Sequence, residues 1–520
     1  MKLRPRRIAL LAVAAAVAGF GLWLWIYHLQ AKGRLEAYKK ELRAAGEKLT
    51  IDELTPKPVP ADENGAVLFP KAMSLMNYGV LSRNPVPAMR AVAHGRAMIG
   101  WTQPDIREPK VATNSWEEAL GDLAALQPAL QVLAQMSDRR ALQFPIDYHN
   151  LTFSYLSPLK RAANLLASAA VCDIHNGDTA PAVTNIETLL VLTKELGSER
   201  MAISQLVRLA MLQIGFSANW ELLHGPALTD DHLATLQRSW ENIELLEDAE
   251  NSIAMERAYG VEQIAGLRAA PGKFQQYTGF LSAASPTPGN WFDGALQYSE
   301  DTWQKAKIGA KARLWSTAWS YPDELQMLRG YQVVLESMRA ARATGRFDHA
   351  LHDQTDKLID LGFGHHDDEI SVTMNGVADA NLRSFASEGV MSLARVFNRL
   401  MVAEAARKMA ITAIALERYR LRHGKYPAEL AALVPEIVSA VPRDPVDGSP
   451  IRYRLESDGT YVLYSIGEDG KDDGGDPQPA DPSKESLLWN WSRDWVWPRP
   501  ATPGQIKAYY DNAYGAAADK

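Results

Sequence analysis

The residues best equipped for chemistry fall in two acidic stretches. Residues 467–476 read GEDGKDDGGD and supply Glu468, Asp469, Asp472, Asp473 and Asp476 among four glycines. Calcium takes roughly six to eight oxygens, from carboxylates and carbonyls on flexible loops. The stretch therefore offers the chemistry of a structural calcium site, and a solvated acidic turn is the plainer alternative. It is not an EF-hand, because that loop's spacing and terminal glutamate are missing. The second stretch holds Asp348-His349, His352-Asp353 and His365-His366-Asp367-Asp368-Glu369. His349 and His352 are spaced to share one helix face, an arrangement zinc sites use. An exported metal-dependent hydrolase with its site across residues 349–369 is one reading. A solvated acidic helix end is the other, and no H-E-x-x-H signature decides for the enzyme.

Other chemistries are poorly supplied. The single cysteine, Cys172, excludes an intramolecular disulfide and any cysteine-only zinc site. It lies in an apolar helical run (ASAAVCDI), where a thiol is buried and inert. No nucleophile elbow, Walker loop or dinucleotide fingerprint occurs. With 62 acidic against 55 basic residues the net charge is −7, which lacks the basic footprint of a nucleic-acid binder. Trp489, Trp491, Trp495 and Trp497 form a dense aromatic run, suited to a strand or extended tail that buries its rings on the helical body, with carbohydrate or partner binding through exposed rings as the alternative.

These groups must be positioned by the rest of the chain, which begins with a membrane signal. Lys2, Arg4, Arg6 and Arg7 precede an uncharged run over residues 8–27. At about 1.5 Å per residue this run crosses the ~30 Å hydrocarbon core. Trp23, Trp25 and Tyr27 suit the far interface, and the cationic flank is expected to stay in the cytoplasm. A cleaved signal peptide is the competing reading, because Ala14, Ala15, Ala16 and Ala18 resemble a cleavage region. Both readings export the remainder.

Past the anchor, residues 30–46 read as a charged, exposed helix, and residues 80–115 as irregular surface. From residue 116 the apolar residues step by three and four: Leu120, Leu123, Leu126, Leu130, Leu133 and Met136. Pro128 falls inside this run and is expected to kink or split the helix. Residues 156–176 and 179–196 read as a helical hairpin. Further helices are expected at 199–223, from an N-cap at Thr229 to 246, and at 251–269, 295–318, 323–344 and 349–361. No motif recurs at fixed spacing, so a bundle or irregular solenoid is expected rather than a repeat array.

A long helical pattern over residues 377–423, with a break expected near Gly389, leads into a distinct module. Tyr426-Pro427 follows the helix, then Leu430 to Leu433, then the turn Pro442-Arg443-Asp444-Pro445. Strand patterns over 451–455 and 460–466 flank Asp458-Gly459, a hairpin signal. The loop Tyr464-Ser465-Ile466-Gly467-Glu468-Asp469-Gly470 comes last. This order resembles the C-terminal half of the major pseudopilin of type II secretion systems. The resemblance covers residues 403–476. It does not extend to the family's leader, its prepilin-peptidase site or its Phe-Thr-Leu-x-Glu start. The adjoining helix carries Glu404, Arg407, Lys408, Glu417, Arg418 and Arg420, so it is not a membrane span. The resemblance implies calcium in the last loop. Asp469 would match the family's Asp-Gly step, with Asp472, Asp473 or Asp476 supplying later ligands and a carbonyl contributed near Ser465. The rest of the chain resembles membrane-anchored exported bacterial proteins.

The expected fold is thus mainly α, ending in a small α+β module with an antiparallel hairpin. The divisions are 1–29 (flank and anchor), 30–115 (juxtamembrane helix and irregular region), 116–376 (helical domain), 377–482 (long helix and pseudopilin-like module) and 483–520 (Trp-rich tail). The expected function is a non-enzymatic interaction protein of the bacterial inner membrane, its bulk in the periplasm. Its partners would be envelope or secretion-system proteins. The hydrolase and a periplasmic ligand-binding helical protein are the alternatives.

Overall fold

A single unbroken helix, α1 (Pro5–Ala44), opens the computed structural model. The structure describes residues 5–76, 81, 85–106, 115–270, 313, 315–363, 385–481, 483 and 486–518. After a single turn at Ile51–Leu54, the longer helices are α2 (Phe69–Met76), α3 (Trp116–Ser137), α4 (Leu156–His175), α5 (Thr179–Glu195), α6 (Ala202–Leu223), α7 (Asp230–Glu241), α8 (Leu246–Ala269), α9 (Ser320–Thr344), α10 (Asp348–Asp360), α11 (Phe385–His423) and α12 (Pro503–Ala518). The strands are β1 (Arg90–Ala93), β2 (Arg96–Met98), β3 (Arg452–Leu455), β4 (Tyr461–Ser465), β5 (Trp495–Val496) and β6 (Arg499–Pro500). The chain is mainly helical, and its described residues form two small sheets in the orders β1-β2-β6 and β3-β4-β5.

The chain divides into two compact units. The first comprises Met1–Thr55, Ile253–Leu335 and Thr355–Ala394. Its α1 is long and apolar enough to cross a membrane over its first half. The second half differs from the expected exposed helix. Ala31, Leu35 and Leu42 are buried, at a four- and seven-residue spacing that puts them on one face. Leu35, Leu42 and Leu49 pack with Leu328, and Tyr38, Val261, Tyr321 and Leu325 close around them. Most charges around this stripe are exposed, whereas Lys39 lies on the packed side and pairs with the buried Glu324. Arg257 is fully buried and bridges Glu47 at 2.7 Å and the Gln332 side chain at 2.8 Å.

The second unit comprises Pro56–Ser252, Glu336–Gln354 and Arg395–Lys520. Ser115 and Glu118 form a capping box at the start of α3. Pro128 neither splits nor ends α3, because Leu123, Leu126, Leu130 and Leu133 hold a continuous buried face around it. Helices α4 and α5 form the expected hairpin. The core side of α4 is lined with alanine and leucine, and Cys172 is fully buried there. Thr229 caps α7 through its hydroxyl, but α7 stops at Glu241 and α8 starts again at Leu246. Gly389 does not break α11. The expected irregular surface contains the β1–β2 hairpin, which turns at His94-Gly95. Most of the helix expected at 295–318 lies outside the described residues.

The Trp-rich tail is built into the second unit. Trp489, Trp495 and Trp497 are buried, whereas Trp491 is exposed. Trp489 and Trp497 pack on Phe216 of α6. β5 adds a third antiparallel strand to the β3–β4 hairpin, pairing Trp495 with Ser465 and Val496 with Tyr464.

Candidate functional site

The β3–β4 hairpin forms where the residue pattern places it. Leu455 pairs with Tyr461 and Arg452 with Tyr464, and Gly459 takes the positive φ that the turn requires. Beneath it lies the turn 442–450. Its Asp444 is fully buried, and four donors converge on its carboxylate: the Val446 and Ile466 N–H groups at 3.0 Å each, Ser465 Oγ at 2.8 Å and Arg452 Nη1 at 2.9 Å. Arg452 also binds Asp447 through both Nη atoms, at 2.7 and 3.0 Å, and approaches Asp472. Burial opposes ionisation of Asp447, yet the Arg452 bonds prevail and hold its carboxyl down to about 2. One arginine therefore ties the turn, the hairpin and the acidic loop together.

The acidic loop folds back over the tail. Gly467 lies against the Arg493 carbonyl so closely that no side chain would fit. The Gly475 and Asp476 N–H groups donate to Asp494 Oδ2 at 2.7 and 3.1 Å. Asp494 is fully buried, and its Oδ1 has no hydrogen-bond partner among the described residues. Burial pushes its carboxyl above the usual range, against those N–H bonds.

The expected calcium residues are placed as follows. Ser465 is buried, with its hydroxyl on Asp444. Asp472 accepts from Tyr464 Oη at 2.9 Å and faces Arg452. Asp476 pairs with Arg493 at 3.1 Å. Asp469 caps the Lys471 N–H, and Asp473 is exposed. Among the described residues, no three His, Cys, Asp or Glu side chains converge on one point. The donor chemistry itself, hard carboxylate oxygens beside a buried acceptor without a partner, fits calcium. Sequence reasoning missed Asp494. Its signal is a charged pair, Arg493-Asp494, set inside the tryptophan-rich run between Trp491 and Trp495.

Of the histidine cluster, His349 and His352 lie on exposed positions of α10. His365, His366, Asp367, Asp368 and Glu369 lie outside the described residues. Cys172 has its thiol pushed up to about 12 by burial, which leaves it unreactive.

A cavity of about 440 Å³ opens between the β1–β2 hairpin, α6, α12 and the Trp-rich segment. Apolar groups such as Leu488 and Trp489 line it together with Arg90, Arg96 and Tyr509. The backbone beside it is held by Glu221 of α6, which is fully buried. Glu221 accepts the Met89 N–H at 2.8 Å and the Gly100 N–H at 2.9 Å. Burial pushes its carboxyl up to about 7. No family model, curated protein or solved structure matches the chain.

Proposed function

We propose that this is a membrane-anchored, exported interaction protein whose C-terminal module is pseudopilin-like and takes calcium in its acidic loop. The observation that carries the reading is the knot at Asp444. The aspartate of the Pro-x-Asp-Pro turn accepts from the last residue of the hairpin's second strand, Ser465, and from the next, Ile466, and Arg452 extends that tie to the acidic loop. The loop's carboxylates, together with the buried Asp494 Oδ1, supply the oxygens calcium needs. Calcium bound there would do structural work by fixing the loop on the hairpin and the tail. It would compete with Arg452 for Asp472 and with Arg493 for Asp476.

On this reading the bulk lies in the periplasm, and the partners are envelope or secretion-system proteins. The exposed Leu488 and Trp491 are candidate contacts for them. Photo-crosslinking from Trp491 in intact membranes tests this. The expected result is a discrete adduct with an envelope protein, and absence of any adduct would contradict it.

A second reading, a periplasmic ligand binder, is favoured by the cavity at Arg96. Two arginines on an otherwise largely apolar lining suit an anionic molecule with an apolar body. Anilinonaphthalene sulfonate serves as the probe. Binding lost in Arg96→Glu supports this reading, and binding indifferent to that change opposes it.

A further inference from the structure

The first unit is attached to the membrane helix without any intervening linker. The uncharged run ends at Tyr27, and the packed stretch begins on the next turn. His28 Nδ1 lies 2.7 Å from the Thr317 carbonyl, and its ring meets Tyr321 edge-on. Ala31 and Leu35, one and two turns on, are buried. Higher along α1, Lys39 pairs with Glu324 and Leu42 packs with Leu328, joined there by Leu49 from beyond the helix end. Residue numbers therefore rise together along α1 and α9, and the two helices run parallel. α8 runs the opposite way, because Arg257 meets Gln332 whereas Arg268 meets Ser320 and Glu324. The start of α9, its preceding π-helical turn Trp315–Trp319 and the end of α8 thus share one level, that of His28.

If α1 crosses the bilayer, that level is fixed by helix geometry. His28 follows directly on the last residue of the span, and a helix rises only about 1.5 Å per residue. The side chains at this end suit the headgroup region. Arg313, just before the turn, is exposed and Trp319 on it is half-buried, while Lys32 and Arg34 are exposed on α1 just past the span. Arg268 stacks over Tyr321 at 3.9 Å. Exposed cations beside a tryptophan suit lipid phosphates at an interface.

We infer that the first unit rests on the membrane surface, with its Trp315–Trp319 turn among the lipid headgroups of the leaflet that α1 leaves. This contact is separate from the span and rests on the anchor reading. It would make the unit a rigid platform at the bilayer rather than a body swinging on a tether.

Site-directed spin labelling of the full chain tests it, in vesicles of phosphatidylethanolamine and phosphatidylglycerol. Thr317→Cys reports on the turn, Gly19→Cys on the span, and Ala44→Cys on the far end of α1. The native Cys172 is fully buried, and the unsubstituted chain supplies the background. The expected result is that the Thr317 label collides with a headgroup-chelated nickel lipid, while the Ala44 label collides only with soluble nickel chelate. A short Gly-Ser insertion after Tyr27 should abolish the headgroup collisions at Thr317 and leave the Gly19 label in lipid. A Thr317 label as accessible to soluble nickel as the Ala44 label, with Gly19 still in lipid, overturns the inference and leaves the anchor standing. A Gly19 label open to soluble nickel overturns both.

Discussion

Arg452 Nη1 meets the fully buried carboxylate of Asp444 at 2.9 Å, and the same guanidinium grips Asp447. Removing one partner leaves a buried charge uncompensated, which costs more than the pair contributes when intact. Arg452→Ala is expected to destabilise the second unit by about 3 kcal/mol. Arg452→Lys should recover only part of this, because an ammonium cannot bridge both aspartates in the guanidinium's fork geometry. Denaturant melts of the detergent-solubilised chain provide the check, and an unchanged midpoint in Arg452→Ala would count against the knot.

The buried Glu221 gives a signed pH dependence. Its carboxyl stands at about 7 when folded, against an ordinary value of 4.5, because burial penalises the charge more than the backbone N–H bonds favour it. Glu199, buried with Tyr155 Oη at 2.7 Å, is likewise pushed up to about 7 by burial. Between about pH 4.5 and 7 the folded chain holds protons that the unfolded chain releases. Stability from these two groups is therefore complete below about pH 4.5 and is lost as pH rises towards 7. Glu221→Gln should flatten the decline of melting temperature between pH 5 and 8. A slope identical to that of the native chain would contradict this. Asp447 acts in the opposite sense, and its contribution is lost only as pH falls from about 3.8 towards 2.

Leu35 holds the second half of α1 in the first unit. It is fully buried against the cluster around Leu328. Leu35→Ala should cost about 3 kcal/mol and loosen α1 from α9. Increased hydrogen exchange along residues 30–44, with the protein still in the membrane fraction, is the expected signature. Exchange no faster than in the native chain would show that this face is not packed.

Retention of the anchor is a separate matter. The native chain should stay in the membrane pellet through alkaline extraction and keep residues before His28 on mass analysis. A soluble species that lacks them would favour cleavage.

The two halves of α1 show what the sequence made legible. The apolar run was plain, because a span of that length needs no partner to be recognised. Ala31, Leu35 and Leu42 were hidden, because charges outnumber apolar residues in their neighbourhood and only their spacing marks a buried face. Of the two effects expected of Pro128, a kink or a split, the split does not occur. A proline costs a helix one hydrogen bond and some strain, and a well-packed face around it can outweigh that. The β1–β2 hairpin was overlooked although His94-Gly95 sits between two short runs, because strands of three and four residues give little alternation to count. In the candidate site, the hairpin and the acidic loop were readable as local patterns. Asp494 was not, since what matters about it is burial against a loop some twenty residues earlier in the chain.

The acidic loop tests the central claim most directly. Asp469 and Asp473 are the loop aspartates not engaged by Arg452 or Arg493, so their replacement should spare the knot. Calcium titrated calorimetrically into the detergent-solubilised chain should give saturable binding and a raised melting temperature that chelator reverses. Asp469→Asn with Asp473→Asn should lose both effects while melting like the native chain in chelator. No heat of binding in the native chain, with the same melting temperature in calcium and in chelator, would contradict the account.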